Sequence, residues 1–362
     1  MRRHLRFILL CLLAVLVLWW FGRGLDWMGV RQAIGQADWR LIALGVLLVC
    51  ISYFVRALRW RALLAPLGKA SLRELFAATT VGFGAIFLVG RTGEVLRPAF
   101  LSLREPRVRP AAAFVTIAVE RLYDMSAVIF LFALNLLTFR APGGDPAAYA
   151  RVRQAGVVLV VAMIVGIAML IWFRHNAPTL LNWLERKLAH APSFIKRIGK
   201  LLASLLAQVA QALGVLTDAR GLAVTVSWTI LLWCLIVVTN WLVLRAFGLP
   251  FGLDETLFVL GWALVGSLVP TPGGAAGAFH AATAAGLIFL GVPRADAAAV
   301  AIILHLVVFG PAVFFGLYYF LTGDVSLGRI KGLTHPAADE RGAGEQAGEK
   351  FPALTEKQVS TL

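Results

Sequence analysis

Long apolar runs, separated by short basic or Gly- and Pro-containing segments, dominate this sequence. The runs cover residues 5–22, 41–58, 75–90, 111–139, 155–173, 222–247, 257–290 and 298–321. Several approach or exceed the roughly 20 apolar residues that a helix needs to cross a bilayer. A helix also satisfies its own backbone hydrogen bonds in lipid. The pattern therefore predicts an all-α polytopic membrane protein with a transmembrane domain over residues 1–322 and an uncleaved first span.

The distribution of Lys and Arg predicts the orientation. If every run except 75–90 and 257–290 crosses once and the N-terminus is inside, the inside segments carry 20 Lys and Arg and the outside segments 8. This agrees with the excess of positive charge on cytoplasmic loops. A full crossing by 75–90 would reverse the bias over half of the chain. We therefore expect about six full transmembrane helices, with both termini in the cytoplasm.

Two runs are interrupted and are expected to form broken hairpins. The segment around 75–105 is rich in Gly and ends in Arg97-Pro98, and it is expected to enter from the cytoplasm and return there. The run 257–290 is broken at 270–274 by "PTPGG", which predicts a re-entrant hairpin from the outside or two short spans. Interrupted segments from opposite faces mark a midplane binding site in secondary transporters.

Composition adds a net charge of +15 to a chain of 362 residues that is 60% hydrophobic. A basic balance can indicate nucleic-acid binding, but the cations here lie in short loops between apolar runs, so no nucleic-acid partner is expected. The three cysteines, Cys11, Cys50 and Cys234, have neither metal-ligand nor disulfide spacing. No cofactor and no metal are expected.

Six charged residues in or beside the apolar runs form the candidate substrate site: Arg91, Glu94, Arg97, Glu120, Arg121 and Asp124. Glu120 and Asp124 are four residues apart and share one helix face. Charges at bilayer depth are costly and indicate function. The functional hypothesis is that the arginines bind an anionic lipid headgroup, because guanidinium matches phosphate geometry. The alternatives are salt bridges that lock the hairpin to its neighbour and, for Arg91 and Arg97, cytoplasmic anchors.

The broken run "VPTPGGAAGAFH" supplies further candidates. Thr271, Gly273 and Gly274 precede a half-helix whose backbone amides can face a negatively charged group; the alternative is a tight structural turn. His280 and His305 lie in apolar surroundings, either as core residues or as a proton-coupling pair. With no third ligand nearby they make a poor metal site.

Two polar segments complete the prediction. Residues 178–215 alternate apolar and basic positions at helical spacing, which indicates an amphipathic cytoplasmic helix on anionic lipid or a connecting helix packed on the bundle. Residues 323–362 form a polar tail with the composition of a disordered segment.

The motifs "GRTGEVLRP", "ERLYD" and "PTPGG" followed by "LGVP" resemble the flippase-like membrane domain of lysylphosphatidylglycerol synthases over about residues 5–322. The family pattern of Arg-x-Gly-Glu-x-x-Arg, Glu-Arg-x-x-Asp and Pro-Gly-Gly falls on these positions: Arg91, Gly93, Glu94, Arg97, Glu120, Arg121, Asp124, Pro272, Gly273 and Gly274. A carboxylate–guanidinium pair of the family is replaced by His280 and His305. The aminoacyl transferase domain of the synthases does not follow, so the resemblance implies a stand-alone member.

Three functions fit these observations. The leading hypothesis is a non-enzymatic lipid translocator that moves a polar-headed lipid, anionic or phosphate-bearing, between leaflets. The second is a membrane scaffold that recruits or regulates a lipid-modifying enzyme through 178–215. The third is an intramembrane lipid transferase with Glu120 or Asp124 as general base.

Overall fold

The computed structural model describes residues 19, 22–138, 146–189, 199, 206, 219–269 and 273–322, and every regular element within them is helical. The α-helices are α1 (Trp27–Gln36), α2 (Trp39–Leu64), α3 (Leu72–Val89), α4 (Leu96–Arg104), α5 (Pro110–Thr138), α6 (Pro146–Ala189), α7 (Ala219–Ala246), α8 (Leu253–Gly266), α9 (Ala276–Phe289) and α10 (Arg294–Thr322). A 3₁₀ helix, Gly90–Val95, separates α3 from α4.

Three helices in the described part of the chain, α2, α7 and α10, are long and apolar enough to cross a membrane alone. Two segments of α6, Val160–Phe173 and His175–Leu184, meet the same test together and are bent by 59°. The bend lies at Arg174, one helical turn before Pro178, which cannot donate the helical hydrogen bond to the Arg174 carbonyl. The prediction of an all-α membrane protein is confirmed.

The other predicted crossings have different outcomes. Helix α5 has 29 residues, which is about 43 Å at about 1.5 Å per residue, but it carries the three charges of the "ERLYD" motif. The run 5–22 lies outside the described residues except at its C-terminal end, so the number of six crossings stays a prediction. Residues 178–189 form the last part of α6. Apart from Gly199 and Leu206, 190–215 lie outside the described residues, as does 323–362.

Helices α3 and α4 form the first predicted hairpin. Ser71 caps α3 by accepting a hydrogen bond from the Glu74 amide, and α3 ends at Gly90, whose φ of +72° favours glycine. The chain then reverses, and an ion pair joins Arg104 near the end of α4 to Glu74 in the first turn of α3. The Ser71 amide also donates to Glu105 at 3.0 Å. Both ends of this hairpin therefore lie on the same side.

Helices α8 and α9 form the second hairpin. Each has 14 residues, or about 21 Å, which is shorter than the roughly 30 Å hydrocarbon core. They pack closely along their length because glycines face the neighbouring helix: a Cβ at Gly266 would lie 2.6 Å from the Ala278 carbonyl oxygen, and one at Gly286 would lie 2.8 Å from Trp262. This close packing of two short helices favours the re-entrant alternative over two independent spans.

The two hairpins enter from opposite ends of α5. The first hairpin leads directly into the N-terminus of α5 through residues 105–109. The second begins beside the C-terminal end of α5, where Asn135 donates to the carbonyl of Asp254 at 2.8 Å and Thr138 donates to its carboxylate at 2.8 Å. The arrangement of hairpins predicted from the interrupted runs is therefore present in the fold.

Helix α10 packs against α3 at a glycine contact. A Cβ at Gly84 of α3 would lie 3.0 Å from the Ala312 carbonyl oxygen, and a Cβ at Gly316 of α10 would lie 2.5 Å from the Thr80 carbonyl oxygen. These backbones approach as closely as they do because neither glycine carries a side chain. The contact fixes the first hairpin against α10, one of the three helices that are long and apolar enough to cross a membrane alone.

Gly316→Leu is therefore expected to destabilise the protein by about 1–3 kcal/mol, because the new side chain has to displace the α3 backbone. Thermal unfolding of the purified protein in detergent measures the loss. Gly166→Leu is the matched control: Gly166 is exposed in α6, with no atom within 4 Å of its added Cβ. Equal unfolding temperatures for the two variants would contradict this packing.

Candidate functional site

An arginine of α2 lies at the centre of the charged cluster. Nη2 of Arg59 lies 2.9 Å from Glu120 Oε1, and its Nη1 lies 2.7 Å from Asp124 Oδ1. Both carboxylates can contact the one guanidinium group because they lie one helical turn apart on α5. Nη1 of Arg59 also donates to the Thr229 hydroxyl of α7 at 3.3 Å. Arg59 is fully buried, as is almost all of Glu120.

The first hairpin contributes a second arginine to the same carboxylate. Nη1 of Arg97 lies 2.9 Å from Glu120 Oε1, so one oxygen receives two guanidinium groups. The guanidinium of Arg97 also lies over the ring of Trp60, 4.3 Å from its centroid, and the indole N–H of Trp60 donates to Thr116 at 2.9 Å. Gly82 of α3 gives Arg97 room, since a Cβ there would lie 2.6 Å from the Arg97 Cβ.

The outer part of the cluster is more loosely paired. Arg121 lies 3.3 Å from Glu94 of the 3₁₀ helix and 3.8 Å from Asp124. About a third of the Arg121 and Glu94 side chains is exposed. The ion pairs thus run from a dry interior at Arg59 to an accessible edge at Arg121.

The structure brings together five of the six predicted charged residues: Glu94, Arg97, Glu120, Arg121 and Asp124. The side chain of Arg91 lies outside the described ones. The sequence pattern does not predict Arg59 as a site residue, because the apolar run ends at residue 58 and the cations around that end resemble loop residues. Helix α2 in fact continues to Leu64. The available signal was the apolar sequence on both sides of Arg59, "YFVRALRWRALL".

An open cavity of about 460 Å³ borders the cluster. Arg56, Arg121 and Asp124 line its charged part, and side chains of α2, α3, α5, α7, α8, α9 and α10 form the rest of a mostly apolar wall. Met125 and Leu268 of this wall are 47% and 54% exposed, so the cavity is not sealed. Its volume lies in the range of about 300–1,000 Å³ that is typical of small-molecule sites.

The tips of the two hairpins meet beside this cavity. The amides of Gly273 and Gly274 donate to the carbonyl of Phe87 near the end of α3, at 2.6 and 3.0 Å. These two donors are therefore engaged within the protein, and the role of the turn in binding a headgroup stays a prediction. Thr271 lies outside the described residues.

The two predicted histidines meet at the same junction. The rings of His280 and His305 have centroids 4.8 Å apart, and Nε2 of His305 lies 3.3 Å from the Gly274 carbonyl oxygen. Phe279 and Phe309, which both line the cavity, pack on His305 at centroid distances of 5.0 and 4.9 Å. The pair thus lies between the hairpin tips and the cavity wall, and its proton-coupling role stays a prediction.

Removal of Arg59 is expected to cost about 3–5 kcal/mol, because it leaves buried carboxylates uncompensated. In Arg59→Met, Asp124 keeps only its 3.8 Å contact with Arg121. The double variant Arg59→Met/Asp124→Asn restores neutrality. Its loss of unfolding free energy is expected to be smaller than the sum of the losses in the two single variants. Reversible unfolding in mixed micelles measures these differences.

Arg61→Met, on an exposed position of the same helix, is the control for the loss of one arginine. If Arg59→Met and Arg61→Met have the same free energy of unfolding, the buried ion pairs do not hold these helices together.

Gly274→Ala is expected to weaken the junction of the hairpin tips. Its φ of +62° makes a side chain costly, and a Cβ there would also lie 3.2 Å from both His305 Nε2 and Phe87. Gly248→Ala is the control, since Gly248 has a φ of +70° but open space around it. Both variants pay the backbone cost of about 1–2 kcal/mol. A larger fall in unfolding temperature for Gly274→Ala is expected; an equal fall would show that the tip contact contributes nothing.

Sequence comparison with known proteins identifies the family of this chain. The chain matches the lysylphosphatidylglycerol synthase transmembrane region over residues 7–316. It is also 28% identical over 152 residues to a UPF0104 membrane protein of Pyrococcus horikoshii, in an alignment that covers 38% of this chain and 42% of that protein. The chain thus aligns with less than half of that relative's length. Because the family match includes both hairpins and the whole charged cluster, this membrane protein belongs to the lysylphosphatidylglycerol synthase transmembrane family.

Proposed function

We propose that this protein translocates a lipid with an anionic or phosphate-bearing headgroup between the leaflets of a bacterial inner membrane, with both of its termini in the cytoplasm. The observation that carries the proposal is the cavity whose wall is apolar except for Arg56, Arg121, Asp124 and a few neutral polar groups. Such a wall suits an amphiphile. A soluble metabolite would leave most of it uncovered.

The energetics of lipid crossing support this function. A charged group at the centre of a bilayer costs about 2.5–3.5 kcal/mol or more, so a headgroup needs polar partners at depth. Asp124 lies 14 residues into α5, about 21 Å from the start of that helix. Arg121 and Asp124 therefore offer charged contacts well inside the span, next to an open cavity.

The length of the cavity corresponds to part of the path that a headgroup has to cross. Its α5 wall runs from Arg121 to Phe132, about 16 Å along the helix, or about half the thickness of the hydrocarbon core. A headgroup bound in the cavity has therefore crossed part of the hydrocarbon core. The remaining part requires a rearrangement, and the junction of the hairpin tips at Phe87 is the element placed to provide it.

The two hairpins supply a structural basis for access from both faces. They enter from opposite ends of α5 and meet through two backbone hydrogen bonds, which can break without exposing a charge. In secondary transporters, paired broken helices of this kind surround the substrate site. We place the proposed proton-coupling role at His280 and His305, because His305 contacts the Gly274 carbonyl at this junction.

Translocation is tested with the purified full chain reconstituted into vesicles that contain a fluorescent phosphatidylglycerol. A membrane-impermeant reductant reports how fast inner-leaflet lipid reaches the outside. Arg121→Gln is expected to slow this exchange about tenfold or more, since a charge-assisted hydrogen bond contributes about 1.5–3 kcal/mol. Arg121 is partly exposed, so its loss spares the fully buried Arg59 pairs.

Arg109→Gln is the control, because Arg109 is exposed just before α5 begins and does not line the cavity. Exchange at the same rate in wild type and Arg121→Gln would contradict the proposal, as would wild-type vesicles no faster than protein-free ones. Mass spectrometry of the recovered lipid tests the non-enzymatic character: the proposal requires an unchanged mass.

A further inference from the structure

We propose that Arg56 forms an anion subsite in the cavity that selects lipids whose phosphodiester headgroup carries a net charge of −1 and no compensating cation. The identity of the ligand as transported lipid rests on the proposed function. The preference for a negative headgroup rests on the charges of the cavity itself.

Arg56 differs from the other arginines at the site in its lack of a carboxylate partner. It lies three residues before Arg59 on α2 and lines the cavity. Its guanidinium lies 4.8 Å from the ring centroid of Phe83, and no described Asp or Glu lies within 4.0 Å of its nitrogens. A cation against an aromatic ring keeps its outward N–H groups available to a ligand.

The neighbouring ion pairs do not neutralise this charge. Three arginines and three carboxylates pair among themselves: Arg59, Arg97 and Arg121 with Glu94, Glu120 and Asp124. Among the side chains that the structure describes here, Arg56 therefore adds one positive charge to a balanced set. An unpaired charge in apolar surroundings is costly unless a ligand compensates it. A single negative charge is what restores neutrality.

The same cavity wall presents two further polar groups without a partner among the described residues. The indole N–H of Trp233 and the side-chain oxygen of Asn240 are buried, and both residues line the cavity. A phosphodiester offers several acceptor oxygens to an N–H donor. A headgroup hydroxyl would satisfy the oxygen of Asn240. Both atoms are buried behind the cavity surface, so a headgroup reaches them only after the wall around them shifts, and the charge selectivity rests on Arg56.

The arrangement also disfavours other headgroups. A zwitterionic headgroup brings an ammonium into a site where the carboxylates are already paired with arginines. That ammonium gains no free anionic partner and is repelled by Arg56 and Arg121. A cationic headgroup increases the repulsion. The expected order of binding is therefore anionic phosphodiester first, zwitterionic second and cationic last.

The test is lipid binding to the full chain in a neutral detergent, measured by native mass spectrometry with phosphatidylglycerol and phosphatidylcholine of identical acyl chains. The variants are Arg56→Met, Arg56→Lys and, as a matched loss of one exposed arginine from the same helix, Arg61→Met. Wild type and Arg61→Met are expected to favour phosphatidylglycerol about tenfold or more. Arg56→Met is expected to lose this preference, and Arg56→Lys to keep part of it.

Thermal unfolding separates this result from a general loss of structure. Arg56→Met is expected to unfold at or above the wild-type temperature, because it removes an unpaired, half-buried charge rather than an ion pair. A folded Arg56→Met that keeps the wild-type preference would overturn the proposal, as would a wild type that binds both lipids equally. Preferential binding without translocation would support the subsite and refute transport; translocation without preference would refute the subsite alone.

Discussion

The fork from Arg59 to Glu120 and Asp124 is the interaction on which the rest of the structure depends. It joins α2 to α5, and Glu120 extends it to Arg97 of the first hairpin. Because a lone buried charge costs several kcal/mol, none of these elements can move away without a new partner. The first hairpin is thus fixed beside α5 by electrostatics, and its glycine contact with α10 fixes it from the other side. The cavity lies beside the cluster, between helices whose positions these ion pairs and the glycine contact fix.

Structure and recognition are divided between two arginines on one helix. Arg59 is fully buried and paired, so its contribution is to hold the bundle together. Arg56 lies one turn earlier, faces the cavity and has an aromatic ring in place of a carboxylate. Arg121 combines both features, since it is paired but partly exposed. Some arginines are thus fully paired and stabilise the fold, while others remain accessible to a ligand. A site with this division can bind a headgroup without breaking the ion pairs that hold its helices together.

The sequence predicts local features well and long-range pairing poorly. The breaks at Gly90 and Gly273 follow from local backbone chemistry, and the spacing of Glu120 and Asp124 places both on one face of α5. Arg56 and Arg59 were not predicted, because a cation near the end of an apolar run looks the same whether it faces a loop or a buried carboxylate. The contact of Gly273 and Gly274 with Phe87 joins residues almost 190 positions apart, and no local pattern encodes it.

The central claim is that the charged cluster lies inside the hydrocarbon region, and spin-label depth measurement tests it most directly. Ala118 and Leu122 are exposed on α5 within two residues of Glu120, and neither lines the cavity, so a label at either one reports the depth of the cluster. The labels are introduced as single cysteines into a chain whose three native cysteines are replaced, and the protein is reconstituted into bilayers. The account predicts that both labels are accessible to oxygen and shielded from a polar nickel complex. Labels that the nickel complex reaches as easily as an aqueous loop would contradict it.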